Sequence, residues 1–439
     1  MKIKTLHKGA KLFYRYVNIN KMVGISLTFG RSFAEHLPKP QGLDFPQGIA
    51  HLCEHIILSS PTKNHTKEER LKIKRNFSAS NGATSSYYIE FNNLCSKEEL
   101  LPWLEFVMDG IVNLQLTPEE LEIQKRIVKI ERNDKMFKEL PMSIMYANTV
   151  IPKKYHKQYI DIIGAPEELD KITVEDVYNY IQTALVQERL CIGVCGNVSY
   201  RKIMELLRKT VLCSLPVTYT PTFISFRDMR EEFKKNGYSK SAKERLSYAY
   251  INCEVRAPAT NNLRKEKMIT TIMNMLLYRM DLDFFRQKHN ICYSVGFSYG
   301  CSAGVASLYV EPCLKDGDVA KCLTLIPEFL HEVFNIEITE EKKKMVEKQL
   351  KDGVDIYYQK PTKQIGKLYA YIKYGEVLKQ DSLMREYRFI KKHLNELYVL
   401  CLERLREMQK RGNVVLLIKA DETITLDFTT YKKQLLQRK

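Results

Sequence analysis

The stretch from residue 45 to residue 59 carries the residues whose types and spacing indicate chemistry. It reads FPQGIAHLCEHIILS and contains an H-x-x-E-H sequence formed by His51, Glu54 and His55. The apolar run around this sequence has no glycine or proline after Gly48, which favours a helix. On a helix of about 3.6 residues per turn, His51 and His55 lie one turn apart on the same face. Two imidazoles in that arrangement can bind one zinc ion.

Glu54 lies beside the two histidines and is the candidate general base. A zinc ion lowers the pKa of a water molecule that it binds to about 7, so a neighbouring carboxylate can take a proton from that water at neutral pH. The order H-x-x-E-H is the inverted form of the H-E-x-x-H zinc-protease signature. The chain has only nine histidines, so two of them four residues apart around a glutamate are an uncommon coincidence. The alternative interpretation is a partly buried helix whose polar face carries these three residues without binding metal.

A tetrahedral catalytic zinc site needs a third protein ligand and keeps its fourth position for water. The best candidate is Glu131, on a helical stretch that opens at Thr117 and Pro118 with a T-x-x-E capping box and a proline at the first helical position. The periodic apolar positions that predict a buried helix are Leu121, Ile127, Val128 and Ile130. An acidic group on the inner side of such a helix needs a partner. On these grounds alone, Glu122 and Asp134 compete with Glu131.

The H-x-x-E-H motif, 75 intervening residues and then Glu131 together resemble the insulinase/pitrilysin metallopeptidases, which include the mitochondrial processing peptidase. The resemblance implies that His51, His55 and Glu131 bind zinc, one ion per chain. It also implies that Glu54 is the general base. The family often has a second glutamate seven residues before the metal-binding one, and this chain has Gln124 there. Groups that support the ligands in this way can tune metal affinity and activity.

Residues 81 to 91 read NGATSSYYIEF, an alternation that predicts a half-buried strand. In the family that the chain resembles, a strand here pairs with the substrate backbone and opens with an Asn-Ala-x-Thr-like signature. The corresponding substrate-binding residues are Asn81, Gly82, Ala83 and Thr84, with glycine in the place of alanine. Pairing through the backbone would let one site accept peptides of varied sequence. The alternative is an ordinary strand whose Gly82 marks a turn.

Arg286 and Tyr293 form a further candidate pair, where a helix meets a strand in the second half of the chain. In the resembled family, an arginine and a tyrosine seven residues apart contact the substrate or the tetrahedral intermediate, which implies a catalytic role for both residues. A guanidinium and a phenol can both donate hydrogen bonds to an oxyanion. The alternative is a capping arginine and a half-buried tyrosine, since the chain has 69 basic residues and 26 tyrosines.

The chain is long enough for two or more domains, with 439 residues and 44% hydrophobic residues. We expect an N-terminal zinc-binding peptidase domain over 1–212, a polar linker over 213–245 and a C-terminal peptidase-like domain with the Arg/Tyr pair over 246–439. The resemblance implies an α+β fold of the mitochondrial processing peptidase type, with two similar domains that each pack helices on an antiparallel sheet. Two β-rich stretches within residues 11–29 are expected to pair with each other.

Composition limits the location and the partners. No apolar run approaches the roughly 18 residues of a membrane span, and the start of the chain has no apolar signal-peptide core. Eleven cysteines without a regular framework predict reduced thiols and a cytoplasmic protein. The formal net charge of +17 indicates mainly solvated helix faces, or else a basic wall that attracts an acidic peptide. The sequence does not predict nucleic-acid binding, because it has no known binding motif.

The resemblance is to the roughly half-length branch of the family, in which active sites form between two such units. One unit supplies zinc and the facing unit supplies the Arg/Tyr pair. Both sets occur on this chain, so we expect a homodimer, or a heterodimer with a related subunit. The expected function is zinc-dependent endopeptidase activity on peptides, leader segments or unfolded segments. The rival hypothesis is a non-catalytic peptide-binding or scaffolding subunit of a heterodimeric processing peptidase.

Overall fold

The computed structural model describes residues 2–18, 21–30, 44–85, 88–133, 145, 149, 162–217, 237–241, 249–260, 262–302, 305–314, 318–359, 365, 383–420 and 424–436. These residues form two compact units. Each unit has its own β-sheet and its own hydrophobic core.

The first unit is built on a mixed sheet of six described strands. They are β1 (Lys2–Thr5), β2 (Lys11–Tyr16), β3 (Val23–Gly30), β4 (Asn81–Thr84), β5 (Tyr88–Cys95) and β6 (Leu190–Gly196). Their order in the sheet is β1-β2-β6-β3-β5-β4, which puts β4 at one end. Neighbouring strands are antiparallel except for β2 and β6, which are parallel.

The helices of the first unit bury apolar faces against this sheet and against each other. They are α1 (Ile49–Ser59), α2 (Lys67–Arg75), α3 (Leu100–Val112), α4 (Pro118–Asn133), α5 (Pro166–Lys171), α6 (Val174–Ala184), α7 (Tyr200–Lys209) and α8 (Val211–Ser214). Helix α1 is buried over nearly its whole length. It contacts β4, β5, α3 and α4, so it lies at the centre of the unit.

Two expectations about the first sheet are wrong. Strands β2 and β3 do not pair, because β6 lies between them. Every residue of β6 is buried, and a strand that is apolar on both faces gains most from a central position. Residues 81–91 are not one strand but the hairpin of β4 and β5, in which the Ser85 N–H donates to the Tyr88 carbonyl at 2.8 Å.

The expectation of a buried α4 holds for only one face of that helix. Leu121 and Val128 are buried in the core, whereas the side chains of Ile127 and Ile130 are 42% and 64% exposed. A helix at the surface of a unit buries one stripe of residues, and these two isoleucines lie outside that stripe.

The second unit repeats the plan with a mixed sheet of five described strands. They are β7 (Gly237–Ser241), β8 (Ala249–Pro258), β9 (Ser294–Ser302), β10 (Val305–Leu314) and β11 (Asn413–Lys419), in the order β7-β11-β8-β10-β9. Its helices are α9 (Leu263–Leu276), a π-helical segment (Leu282–Lys288), α10 (Val319–Phe334), α11 (Glu340–Gln359, in this unit as far as Val354), α12 (Leu383–Lys392), α13 (Leu394–Arg411) and α14 (Phe428–Leu436). The predicted α+β architecture of two similar domains is confirmed, although each sheet includes one parallel pair of strands.

The predicted linker over 213–245 needs one correction. Strand β7 lies inside that stretch and pairs in parallel with β11, so the second sheet begins before residue 246. Its backbone groups are satisfied in the sheet, which a solvated linker would not provide. Residues 218–236 and 242–248 lie outside the described part, so the domain limits themselves stay a prediction. All eleven cysteines are free thiols, and no helix within the described residues is both long and apolar enough to cross a bilayer.

Candidate metal centre

Two side chains of α1 and one of α4 converge on a small polar site. His51 Nε2 lies 3.7 Å from Glu131 Oε2, and His55 Nε2 lies 3.3 Å from the same oxygen. One ligand atom from each of the three residues can be chosen so that all lie within 4.8 Å of one another. A tetrahedral zinc ion with bonds of about 2.0–2.2 Å holds its ligands about 3.3–3.6 Å apart. The three side chains therefore fit one zinc ion after a small inward adjustment.

The start of α1 and the end of α4 are held together through the loop at Gly164, which packs against Gly48. Gly48 and Gly164 both have φ of +87°, and a Cβ added at Gly164 would lie 2.9 Å from the Gly48 Cα atom. The loop at Gly164 can therefore touch the start of α1, which glycine alone permits at this φ. Arg132, next to Glu131, donates from Nη1 to the Gly164 carbonyl at 3.1 Å. This bond ties the end of α4 to the start of the histidine-bearing helix.

Burial keeps the two histidines in the form that binds metal. Burial and, to a smaller extent, the nearby His55 together lower the pKa of His51 to about 4. Burial also lowers the pKa of His55, against the opposing effect of the Glu131 carboxylate. Metal ions bind the neutral imidazole, so a lowered pKa reduces competition from protons. At neutral pH both rings are available as ligands.

Glu54 lies on the same helix and is only 8% exposed. The Thr84 hydroxyl of β4 donates to Glu54 Oε2 at 2.7 Å. Burial raises the pKa of Glu54 to about 7, while the Thr84 hydrogen bond opposes that rise and the Glu131 charge adds to it. A carboxyl group with a pKa near the working pH can both accept and return a proton. This is the property that a general base in peptide hydrolysis needs.

Lys74 is a charged neighbour of the site that the sequence did not single out. Burial lowers the pKa of its ammonium group, and the Glu54 carboxylate opposes this effect. The Lys74 charge in turn lowers the pKa of both Glu54 and His55. Lys74 lies in α2, whose sequence KEERLKIKR resembles any solvated helix, so no local signal distinguished it.

The residues that competed with Glu131, and Gln124, have other roles or lie elsewhere. The Glu122 carboxylate is paired with Lys125 at 2.8 Å and its side chain is 58% exposed, while Asp134 lies outside the described residues. Gln124 is buried and donates to Glu120 Oε1 at 2.7 Å rather than to a histidine. Within the described part of the chain, His51 Nδ1 has no hydrogen-bond partner. The group that usually orients a metal-binding histidine is thus absent from the described residues.

Asn81, Gly82, Ala83 and Thr84 form β4. The Thr84 side chain contacts Glu54, and the strand ends the described sheet, but substrate binding there stays a prediction. Arg286 and Tyr293 belong to the second unit, where the guanidinium lies 4.5 Å from the centre of the tyrosine ring. Tyr293 is 78% exposed. The structure brings this pair together, and its catalytic role also stays a prediction.

Two family models match the chain. One is described as "Insulinase (Peptidase family M16)" and matches residues 44–154, the range that contains the H-x-x-E-H motif and Glu131. The other is described as "Peptidase M16 inactive domain" and matches residues 171–350. Together they cover more than half of the chain.

Curated relatives match about a third of their own length. The chain is 26% identical over 166 residues to "Zinc protease PqqE" of Helicobacter pylori, covering 37% of this chain and 36% of that protein. It is 21% identical over 164 residues to "Probable mitochondrial-processing peptidase subunit beta" of Schizosaccharomyces pombe, covering 37% of this chain and 35% of that protein. Both matches involve one part of each protein, so the activity of the whole relatives does not transfer directly.

Solved structures match over nearly the whole chain. A protease from Helicobacter pylori gives a TM-score of 0.69 at 16% identity, covering 95% of this chain and 98% of that chain. The first half of the periplasmic protease PqqL from Escherichia coli gives 0.70 at 13% identity, covering 100% and 97%. A chain of complex III2 from Candida albicans gives 0.66 at 14% identity, covering 99% of each chain. At these identities the likeness concerns the fold.

Proposed function

Since the chain belongs to the insulinase family of peptidases, peptidase family M16, we propose that it is a zinc-dependent endopeptidase that hydrolyses peptides, leader segments or unfolded segments. The observation that carries the proposal is the convergence of His51, His55 and Glu131 within 4.8 Å. Glu54 is buried on the same helix, with its pKa raised to about 7.

Each polar side chain of the site has a separate task in this proposal. The two imidazoles and the Glu131 carboxylate hold the metal, which when bound supplies Lewis-acid polarisation of the peptide carbonyl and a more acidic water molecule. Glu54 accepts a proton from the attacking water and returns it to the leaving amine. Thr84 holds the Glu54 carboxylate against β4 through its 2.7 Å hydrogen bond.

The substrate and the partners complete the proposal. An extended peptide would add to β4 as a further strand, so that backbone hydrogen bonds hold it and few side chains are selected. Arg286 and Tyr293 would donate to the oxyanion of a substrate held by another chain, which requires a homodimer or a heterodimer with a related subunit. Light scattering of the purified protein tests this assembly, and cell fractionation tests the proposed cytoplasmic location.

Cleavage of a mixed peptide library tests the activity. The zinc-loaded protein should cut peptides, a chelator should stop the cutting, and added zinc should restore it. Glu54→Gln should keep stoichiometric zinc and lose at least about 1000-fold in kcat, because the proton acceptor is gone while the ligands remain. Undiminished turnover in zinc-loaded Glu54→Gln would remove Glu54 from the role of general base.

A non-catalytic, peptide-binding or scaffolding subunit is the second candidate. It is favoured by His51 Nδ1, which has no hydrogen-bond partner among the described residues, and by Gln124 at the position where the family often has a carboxylate. Metal analysis separates the two candidates. About one zinc per chain with chelator-sensitive cleavage supports the enzyme, whereas peptide binding without zinc or cleavage supports the subunit.

A further inference from the structure

Helix α2 turns a face of basic side chains toward α1, and two contacts show how the helices run. Lys67 Nζ and the Ser60 hydroxyl, which directly follows α1, both donate to the Glu120 carboxylate, at 2.8 and 3.1 Å. Nearly one turn further along α2, Arg70 Nη2 donates to the Ile57 carbonyl of α1 at 2.6 Å. Rising residue numbers on α2 thus meet falling numbers on α1, so the two helices are antiparallel.

Lys74 is the next basic residue on this face of α2, one turn beyond Arg70. The antiparallel order places it beside the part of α1 that carries Glu54 and His55. Both of these residues interact electrostatically with the Lys74 ammonium group, which agrees with that position. Lys74 therefore lies at the metal centre without being one of its three ligands.

The Lys74 ammonium group is half-buried. Burial lowers its pKa, the Glu54 carboxylate opposes this effect and the Arg70 guanidinium adds to it. Within the described part of the chain, the Lys74 ammonium group forms no ion pair and no hydrogen bond. Partial burial of a cation costs free energy unless a partner compensates for it. The site thus holds a cationic hydrogen-bond donor that is available to an incoming anion.

Ordinary helix electrostatics accounts for the other two cations in the last turn of α2. Lys72 and Arg75 are exposed there, and positive charges stabilise the C-terminal end of a helix. Lys74 differs from both because its side chain is half-buried on the face that packs against α1. This difference makes Lys72 a matched control for Lys74.

We propose that Lys74 is a specificity-determining residue that binds an acidic side chain of the substrate next to the bond to be cleaved. The inference rests on the proposed function, and it identifies the preferred substrates as peptides with Asp or Glu beside the scissile bond. A peptide paired with β4 would pass close to Lys74, because Glu54 contacts both that strand, through Thr84, and the Lys74 charge. A charge-assisted hydrogen bond from the ammonium group would hold the substrate carboxylate.

Matched peptides test this specificity by kinetics. A peptide that the protein cleaves is resynthesised with Glu or Gln at one of the two positions on either side of the scissile bond. At the best position, the wild type should cleave the Glu peptide with about 10-fold higher kcat/KM, because only that peptide can form the ion pair. Lys74→Gln should bring this ratio close to 1, whereas Lys74→Arg should keep most of it and Lys72→Gln all of it. Any effect of Lys74→Gln on Glu54 changes both peptides alike, so it cancels from the ratio.

Peptide binding tests the same contact without any activity measurement. The probes are two fluorescently labelled ten-residue libraries that carry either Glu or Gln at the central position, and anisotropy measures their binding to the metal-free protein. The wild type should bind the Glu library about fivefold more tightly, and this advantage should shrink as salt screens the charges. Lys74→Gln should bind both libraries equally. Equal binding of the two libraries by the wild type, or an advantage that survives in Lys74→Gln, would overturn the inference.

The two experiments also separate the inference from the proposed function. If the zinc-loaded wild type cleaves no peptide, the enzyme proposal fails, and the binding comparison still decides whether Lys74 selects acidic peptides. If the wild type cleaves peptides without a preference for Glu, or keeps that preference in Lys74→Gln, the specificity inference fails while the enzyme proposal stands.

Discussion

The terminal strands β4 and β9 of the two sheets are each contacted by a polar side chain from a neighbouring helix, but the contacts differ. On β9, the Asn274 amide of α9 makes two hydrogen bonds of 2.8 Å to the main chain of Tyr299. On β4, the Glu54 carboxylate of α1 accepts a hydrogen bond from the side-chain hydroxyl of Thr84 instead. Among the described residues, no side chain is recorded in a hydrogen bond to the main chain of β4. One contact occupies backbone groups of a strand. The other holds an acid, which under the proposed function leaves the backbone of β4 to pair with a peptide.

The acidic groups of the two helices show the same difference. Glu266 of α9 is buried and paired with Arg404 at 2.5 Å, and it also accepts from the Thr260 N–H. Glu54 is also buried, but the hydrogen bond to its carboxylate comes from a neutral hydroxyl, and its pKa is raised to about 7. A paired carboxylate supports structure, whereas an under-neutralised one is suited to proton transfer. Under the proposed function, the same architecture therefore serves stability in the second unit and chemistry in the first.

Replacing one metal ligand should give the largest difference in zinc affinity between substitutions in the two units. Glu131→Gln should weaken zinc binding at least about 1000-fold, because a charged oxygen ligand is replaced by a neutral amide. Glu266→Gln removes the buried acid of α9 in the second unit. It should lower the melting temperature while zinc affinity stays within twofold. Titration of the metal-free proteins with zinc in a competing chelator measures both constants. Equal zinc affinity in Glu131→Gln and the wild type would contradict the ligand assignment.

The pH dependence of stability should report the cost of burying Glu54. Its folded pKa of about 7 lies above its ordinary value of 4.5, so the folded state holds the proton more tightly than the unfolded state. Stability from this group is present below pH 4.5 and is lost as pH rises through 7. Glu54→Gln has no carboxyl group to deprotonate, so it does not lose this stability. Between pH 5 and pH 8 its free energy of unfolding relative to the wild type should therefore rise by about 2–3 kcal/mol.

Urea unfolding of the two metal-free proteins at several pH values measures this difference. A stability gap between Glu54→Gln and the wild type that is the same at pH 5 and at pH 8 would mean that the Glu54 pKa is not raised in the folded chain.

Loss of the Thr84 hydroxyl should have a smaller effect. Thr84→Val should reduce kcat by about 5- to 20-fold, because Glu54 keeps its place on α1 but loses one hydrogen bond. Thr84→Ser keeps the hydroxyl and should retain most of the activity. Steady-state kinetics on one peptide measures all three proteins, and a Ser variant as poor as the Val variant would show that the methyl group, rather than the hydrogen bond, matters.

The smallest effect is expected at the contact of the second unit. Asn274→Ala should lower the melting temperature by roughly 2–6 °C through the loss of two hydrogen bonds to Tyr299. Zinc affinity and kcat should be unchanged. If Asn274→Ala instead altered cleavage as strongly as Thr84→Val, the division of roles between the two strands would be wrong.

Local patterns predicted the helices and the metal-site candidates, but not the contacts between distant segments. The apolar run after Gly48 predicted α1, and the resemblance singled out Glu131, which the structure brings beside both histidine rings. The insertion of β6 between β2 and β3 pairs residues such as Lys11 with Cys191 and Phe29 with Leu190, which are far apart in the sequence, and no local periodicity encodes it. The hydrogen bond from Thr84 to Glu54 likewise depends on how α1 packs against β4, which residue types alone do not determine.

Zinc X-ray absorption of the chain loaded with one equivalent of zinc tests the central claim most directly. The account predicts imidazole nitrogen and carboxylate oxygen neighbours at about 2.0–2.2 Å, and loss of this signature in His55→Ala and Glu131→Gln. Because the chain has eleven free thiols, the contrary result is equally distinct: sulfur neighbours at about 2.3 Å, or a spectrum unchanged by both substitutions, would place the metal elsewhere and contradict the proposed peptidase site.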